Sequence, residues 1–257
     1  MRQILTIASK DLKTYFTSPI AYILMAVFSF IMGFMFFSIL TIYIAQSGQY
    51  QQFGYGKAPG INDAIIRPLF GNMNVVLLFM IPFITMRLLA EEKRNNTIEL
   101  LLTSPVKLSE IVLGKFLSAL SFVCILISLT APFMIALAIA TNPDWAVVAM
   151  AYVGTICMIG VYVAVGVFCS SFTENQIVAG VLTFGIILFF WIIKWISFNS
   201  GASSVMGDII GYLSIVDHYE DFSRGIFNTK NVVFYFSAIW LGLYLTYKNL
   251  ESYTWRA

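Results

Sequence analysis

Residues 20–45 have the sequence IAYILMAVFSFIMGFMFFSILTIYIA, and none of these 26 side chains carries a charge. A helix rises about 1.5 Å per residue, so a run of this length exceeds the roughly 30 Å hydrocarbon core of a bilayer. The apolar region of a cleaved signal peptide is shorter, about 7–15 residues. This stretch therefore predicts a retained first transmembrane helix.

The rest of the chain also has the composition of a membrane protein. Of its 257 residues, 59% are hydrophobic and 11% are charged, whereas soluble domains have about 25% charged residues. Five more charge-free runs follow the first, at residues 68–86, 116–140, 145–173, 175–193 and 231–247. We therefore expect an all-α membrane protein with six transmembrane helices, organised as one domain over residues 1–257.

The distribution of Lys and Arg predicts how the chain is oriented. If both termini are cytoplasmic, ten of the 15 positive residues lie inside and five lie outside, as the positive-inside rule requires. Residues 46–67 are then an irregular outside loop. Residues 195–230 form a second, partly helical outside segment that is apolar enough to pack against the bundle. The net charge of +2 gives no indication of a nucleic-acid partner.

Residues 1–18 precede the first span and have an amphipathic pattern. Apolar side chains share one arc of a helix at Ile4, Leu5, Ala8, Leu12, Tyr15 and Phe16, and lysines share the other. Ser18-Pro19 ends the helix. We expect an interfacial elbow helix along the cytoplasmic leaflet, with its lysines toward the lipid headgroups. The alternative is an amphipathic helix that packs on a soluble partner.

The charged segment EEKRNNTIELLLTSPV, residues 91–106, follows the second apolar run and is cytoplasmic in this topology. Asn96 is a suitable N-cap for a helix of about two turns over residues 97–103, with Glu99 at the N3 position of a capping box. Ser104-Pro105 ends that helix, and another begins near Ser109. The pattern favours a docking helix parallel to the membrane over a plain solvated connector.

The sequence predicts no catalytic, cofactor-binding or metal site. The Gly-Lys pairs at 56–57 and 114–115 lack the residues that a phosphate-binding loop requires around them. A zinc site needs several His or Cys ligands, so His218, in an acidic outside loop, is expected to be a surface residue. Lys115 stands at the end of a span, where a long side chain can reach the interface. No ionisable group lies near the middle of a span, which argues against an ion-coupled transporter.

Several small or polar residues stand within the apolar runs. The spacings Gly160-xxx-Ala164 and Gly166-xxx-Ser170 permit close helix approach. The polar residues could line a substrate path or make interhelical hydrogen bonds, and we favour the hydrogen bonds. These residues are Asn72, Asn74, Ser128, Thr130 and Thr183.

Residues 91–118, EEKRNNTIELLLTSPVKLSEIVLGKFLS, resemble permease subunits of ABC type-2 exporters. In that family an acidic-basic run, a Thr-(hydrophobic)-Glu-Leu-Leu-Leu helix and Ser-Pro precede a helix that contains Gly-Lys. The family usually has Gly where this chain has Asn96, and Asn tolerates the same left-handed geometry. Residues 10–23 resemble the family's elbow helix. Residues 218–235, HYEDFSRGIFNTKNVVFY, are similar to the gliding-motility-associated and copper-site-assembly branch.

The resemblance implies that ATP hydrolysis and transport are carried out by different subunits of a complex in the bacterial inner membrane. A separate cytoplasmic ATPase dimer would bind ATP and Mg, and two permease subunits, identical or paralogous, would form the path. The chain itself would not be an enzyme, and residues 91–107 would be its coupling segment. The ATPase-docking residues would be Glu91, Glu92, Lys93, Arg94, Thr97, Glu99, Leu100 and Leu101. A second cytoplasmic contact would involve Ser171, Thr173, Glu174 and Asn175. The alternative is an ATP-independent scaffold or channel subunit.

Overall fold

The structure is a computed structural model that describes residues 2–53, 60–98, 106–199 and 212–254. These residues form helices joined by short turns, with no strand among them, as the sequence predicts. In chain order the helices are α1 (Arg2–Thr17), α2 (Pro19–Phe53), a π-helix (Asn62–Ile66), α3 (Arg67–Thr85), α4 (Ala90–Arg94), α5 (Leu108–Ser128), α6 (Ala131–Ala140), α7 (Trp145–Phe172), α8 (Gln176–Asn199), α9 (Ile215–Ser223) and α10 (Thr229–Thr254).

Five helical stretches in the described part of the chain are long and apolar enough to cross a bilayer, one fewer than predicted. They are Pro19–Gly48, Asn62–Arg94, Leu108–Ala140, Trp145–Phe172 and Gln176–Ile193. The remaining predicted span corresponds to α10, whose 26 residues are long enough but include several tyrosines and charged residues near both ends. α10 packs along α7 and buries Tyr235 and Leu250. Its crossing of the bilayer stays a prediction.

The prediction of an irregular loop at residues 46–67 is wrong for most of the residues described there. α2 continues as far as Phe53, and the π-helix Asn62–Ile66 leads directly into α3. The glutamines after residue 45 favour helix, and a single Gly48 is not enough to end it. Pro68 lies in the first turn of α3, at its junction with the π-helix. Residues 54–59 lie outside the described part.

The predicted span at residues 116–140 is interrupted between α5 and α6. The N–H groups of Leu129 and Thr130 donate to Leu126 O and Ile127 O at 3.1 and 2.9 Å, in a tight turn. Pro132 is compatible with this break because it stands in the first turn of α6. The hydroxyl of Thr130 lies 2.8 Å from that of Tyr152 on α7. Thr130 therefore makes an interhelical hydrogen bond, as the sequence predicts.

α7 is the central helix, and its glycines allow neighbouring helices to approach closely. It contacts α3, α5, α8, α9 and α10. A Cβ added at Gly160 would lie 2.7 Å from Ile239, and one at Gly166 would lie 2.2 Å from the Thr85 hydroxyl. Both distances are shorter than real side-chain contacts. The prediction of close helix approach at these two glycines is confirmed.

His218 on α9 is buried, so the prediction of a surface histidine is wrong. Its Nδ1 lies 2.8 Å from Asn231 Oδ1, and its Nε2 lies 3.0 Å from the carbonyl oxygen of Tyr212. Its ring stacks on Phe234, with centroids 3.9 Å apart. α9 is amphipathic and packs on α7, which turns this face away from solvent. α9, in the described part of the predicted outside segment, thus packs against the bundle.

The first span is attached to the bundle far more loosely than the second. In its most apolar 18-residue window, 11% of residues are buried, against 67% in the second span. Phe28 and Met32 face the core and are fully buried, whereas Phe30, Phe34 and Phe37 are exposed. One face of α2 is therefore largely uncovered by the described part of the chain.

Candidate functional site

The candidate site lies at the end of the bundle where α1, α4 and the start of α5 meet. α1 packs mainly along α5, although α2 follows it directly in sequence. Gly114 makes this possible, since a Cβ there would lie 2.8 Å from Ile7. The Tyr15 hydroxyl donates to Ile84 O at 2.9 Å and so joins α1 to the end of α3. Burial, with the Asp11 carboxylate nearby, raises the pKa of Tyr15 and keeps this donor protonated.

Three charged side chains from three helices form what we call the buried ion triad: Asp11, Glu92 and Lys115. Lys115 Nζ lies 2.5 Å from Glu92 Oε1 and 3.2 Å from Asp11 Oδ2, and the lysine side chain is 4% exposed. The prediction that Lys115 reaches the membrane interface is therefore wrong, because α1 closes over it at Gly114. Removing one member of such a group leaves an uncompensated buried charge. The triad thus joins α1, α4 and α5.

Lys93 makes a second connection, on the opposite side of α4. Its ammonium group donates to the backbone carbonyl of Ser171 and lies 4.8 Å from the centre of the Tyr253 ring. The Asn249 amide donates to the same carbonyl at 2.7 Å and to the Ser171 hydroxyl at 2.8 Å. These contacts join α4 to the end of α7 and to α10.

Ser170 makes a third connection, to the backbone at the start of α4. Its hydroxyl accepts from the N–H groups of Leu89 and Ala90 at 2.9 and 3.0 Å. The first N–H groups of a helix have no partner within that helix, and α4 has no side-chain cap of its own. Ser170 supplies the missing acceptor from a neighbouring helix. We use the term hinge for residues 86–98, which these three sets of contacts hold in place.

Asn96 ends the turn after α4, so its predicted role as the N-cap of the next helix is wrong. An N-cap has an extended backbone, whereas Asn96 has φ = 55° and its N–H donates to Lys93 O at 3.1 Å. This left-handed conformation is the one for which Gly or Asn is favoured. Residue 98 is helical again. Residues 99–105 lie outside the described part, so the docking helix and the roles of Glu99, Leu100 and Leu101 stay predictions.

The structure divides the predicted docking residues of the hinge into two groups. Glu92 and Lys93 turn inward and make the contacts described above. Glu91, Arg94 and Thr97 are exposed. The second group can meet another protein without disturbing the buried contacts, although the Thr97 hydroxyl donates to Glu92 O at 3.3 Å.

The residues of the predicted second cytoplasmic contact also fall into a buried and a more exposed group. Ser171 is fully buried and lies under Lys93, so the structure brings together one residue from each predicted set. Glu174 and Asn175 are exposed, and Thr173 is half-buried. Asn175 Oδ1 accepts from the N–H of Ile177 at 2.9 Å and caps α8.

Sequence reasoning missed five residues of this site: Asp11, Lys115, Ser170, Asn249 and Tyr253. Ser170 belongs to the Gly166-xxx-Ser170 spacing, so a close approach was predicted there, but not its hydrogen bonds to the hinge. Asp11 has no such signal, because it lies on the polar arc of an amphipathic helix, where a solvated carboxylate is the ordinary expectation.

The sequence also matches a known protein family. A family model described as ABC-2 family transporter protein matches residues 5–247, nearly the whole chain. The chain belongs to the ABC-2 transporter family. No curated protein matches it closely enough to count as a relative. ABC-2 permeases are membrane components of transport systems that generally work with a cytoplasmic ATPase.

Proposed function

We propose that this ABC-2 permease couples ATP hydrolysis by a separate cytoplasmic ATPase to export, or to other work across the bacterial inner membrane. ATP and Mg would bind to the ATPase, and both termini and residues 91–107 would be cytoplasmic. The observation that supports this most directly is the hinge. A five-residue helix tied by buried polar contacts to α1, α5, α7 and α10 is suited to transmit movement from an attached motor.

The contacts of the hinge give two routes for that movement. The buried ion triad leads from α4 to α1 and α5, and the contact of Lys93 with Ser171 leads to α7 and α10. Polar contacts inside a protein are electrostatically stronger and more restrictive in geometry than exposed ones. Exposed Glu91, Arg94 and Thr97 would meet the ATPase at the rim of the docking helix. Leu100 and Leu101 would supply its apolar anchors.

Two finer parts of the proposal concern the assembly. A second permease subunit, identical or paralogous, would pack on the exposed face of α2, whose side chains at Phe30, Phe34 and Phe37 are large and apolar. The similarity of residues 218–235 supports the gliding-motility and copper-site-assembly branch. α10 would be the sixth span.

The test is to solubilise the tagged full-length permease and identify what co-purifies. We expect a protein with a phosphate-binding loop, in an amount comparable to the permease. If no ATPase is recovered even after crosslinking in membranes, the coupling proposal is wrong, and an ATP-independent scaffold or channel takes its place.

A pair of variants separates docking from transmission. Arg94→Glu reverses an exposed charge, so we expect less ATPase per permease and an unchanged thermal stability. Lys115→Met alters the buried ion triad, so we expect ATPase to bind but the permease to be less stable. Recovery of wild-type amounts of ATPase with Arg94→Glu would exclude Arg94 from the docking surface.

A further inference from the structure

A cavity of about 740 Å³ lies beneath the elbow helix, and the buried ion triad forms part of its wall. It is bounded by α1, the start of α2, the end of α3 and the hinge. Its apolar part includes Ile20, Leu24 and Phe83. Ile20 and Phe83 are exposed on the outside of the bundle, where a lipid would meet them. The cavity therefore opens on the side of the protein that faces the bilayer.

The polar part of the cavity contains groups of both charge signs that lack hydrogen bonds among the described residues. Arg87 Nε is buried and has no partner, and the same is true of Glu92 Oε2. Asp11 Oδ2 is close enough to Lys115 for an ion pair, but not in the orientation of a hydrogen bond. Buried polar atoms of native proteins are almost always satisfied. Asp11, Arg87 and Glu92 all line the cavity, so a headgroup there would lie beside these unsatisfied atoms and could pair with them once the side chains turn toward it.

The chemistry of a matching ligand follows from these groups. A phosphate would accept from Arg87, with Lys10 at the rim of the cavity as a second cation. A primary ammonium group would donate to Glu92 Oε2 and to Asp11 Oδ2, and it would share the second of these oxygens with Lys115. Acyl chains would cover the apolar surface of Leu24 and Phe83. A volume of about 740 Å³ lies within the roughly 300–1,000 Å³ of ordinary ligand sites.

We propose that this cavity binds one phospholipid of the cytoplasmic leaflet that has a phosphate and a primary ammonium headgroup, as phosphatidylethanolamine does. The cavity's charged lining side chains balance, with Lys10, Arg87 and Lys115 against Asp11, Glu91 and Glu92. This composition suits a zwitterionic headgroup better than an anionic one. Phosphatidylcholine has no N–H to donate and leaves the carboxylate oxygens unsatisfied. Phosphatidylglycerol has no cation to place beside them.

The test measures the lipids retained by the full-length permease. The protein is purified in detergent, incubated with equal amounts of phosphatidylethanolamine, phosphatidylcholine and phosphatidylglycerol, and analysed by native mass spectrometry. We expect one bound phosphatidylethanolamine, favoured about tenfold over the other two, the effect of one charge-assisted hydrogen bond. Equal retention of the three lipids, or of none, overturns the proposal.

Variants locate the lipid within the structure. Arg87→Gln removes the phosphate contact and Leu24→Trp fills the apolar part, so each is expected to reduce retention about tenfold. Arg87→Lys keeps a charge and is expected to retain lipid, which distinguishes loss of contact from misfolding. Arg94→Gln removes an exposed guanidinium outside the cavity and serves as the matched control. Wild-type retention by both Arg87→Gln and Leu24→Trp would refute the site.

A competition experiment distinguishes a lipid from a soluble ligand with the same headgroup. Phosphoethanolamine carries the phosphate and the ammonium group but no acyl chains. We expect it not to displace bound lipid at concentrations at which phosphatidylethanolamine does. If it competes equally well, and Leu24→Trp has no effect, the cavity takes a soluble zwitterion and the lipid proposal is wrong.

Discussion

The buried ion triad makes a quantitative prediction for Lys115→Met. Methionine has a similar length but no charge, so Asp11 and Glu92 would face each other without the ammonium group between them. The side chains of Asp11 and Glu92 are 13% and 19% exposed, so water can compensate only a small part of this loss. Removing one partner of a buried ion pair costs about 3–5 kcal/mol. For a chain of this length that corresponds to a fall in Tm of about 10 °C.

The assay is gel filtration of the fluorescently tagged permease after heating, which gives the temperature at which half of the folded protein is lost. Lys13→Met is the matched control, because Lys13 is exposed on α1, and it should change that temperature little. The double variant Lys115→Met with Glu92→Gln should recover part of the loss, because only one unpaired carboxylate remains. A Tm of Lys115→Met equal to that of the wild type would refute the view that the triad holds the hinge.

Three further predictions test other parts of the structure. Gly166→Ala places a methyl group against a neighbouring helix and should lower the Tm clearly, whereas Gly185→Ala, which has open space beside it, should not. In intact cells a membrane-impermeant thiol reagent should label a cysteine introduced at Gln49 but not one introduced at Asn95, and the reverse pattern would contradict the proposed orientation. Leu101→Asp should strip the ATPase from the purified permease while leaving membrane insertion unchanged, and retention of the ATPase would show that Leu101 is not an anchor.

The transmembrane helices were the part of the fold most accessible from the sequence. Long charge-free runs have few alternatives to a helix in a bilayer, so the five candidate spans lie close to predicted positions. The ends of these helices were harder to predict from the sequence. The Gln-rich residues after 45 resemble a loop in composition, yet they continue α2 to Phe53 because glutamine is a good helix former.

The predicted docking residues 91–94 lie in the hinge, but the contacts that they make there could not be predicted from the sequence. Sequence reasoning identified the charged residues near 91–94, because a charged cluster stands out in an apolar chain. It could not show that Glu92 and Lys93 point inward while Glu91 and Arg94 point outward. That distinction depends on Asp11 and Ser171, which lie far away along the chain and meet the hinge only after the helices pack. The sequence of a short helix does not show which of two adjacent charged side chains points into the protein.

The loose attachment of the first span also determines how much its sequence can vary. Phe28 and Met32 fill space in the core, so their size and shape are constrained by their neighbours. Phe30, Phe34 and Phe37 are mostly exposed, and the fold itself requires only that they be apolar. Leucine or isoleucine would serve the folding of this chain equally well at those three positions. Any preference for aromatic residues there would be set by what surrounds the permease, and homologous sequences would record it.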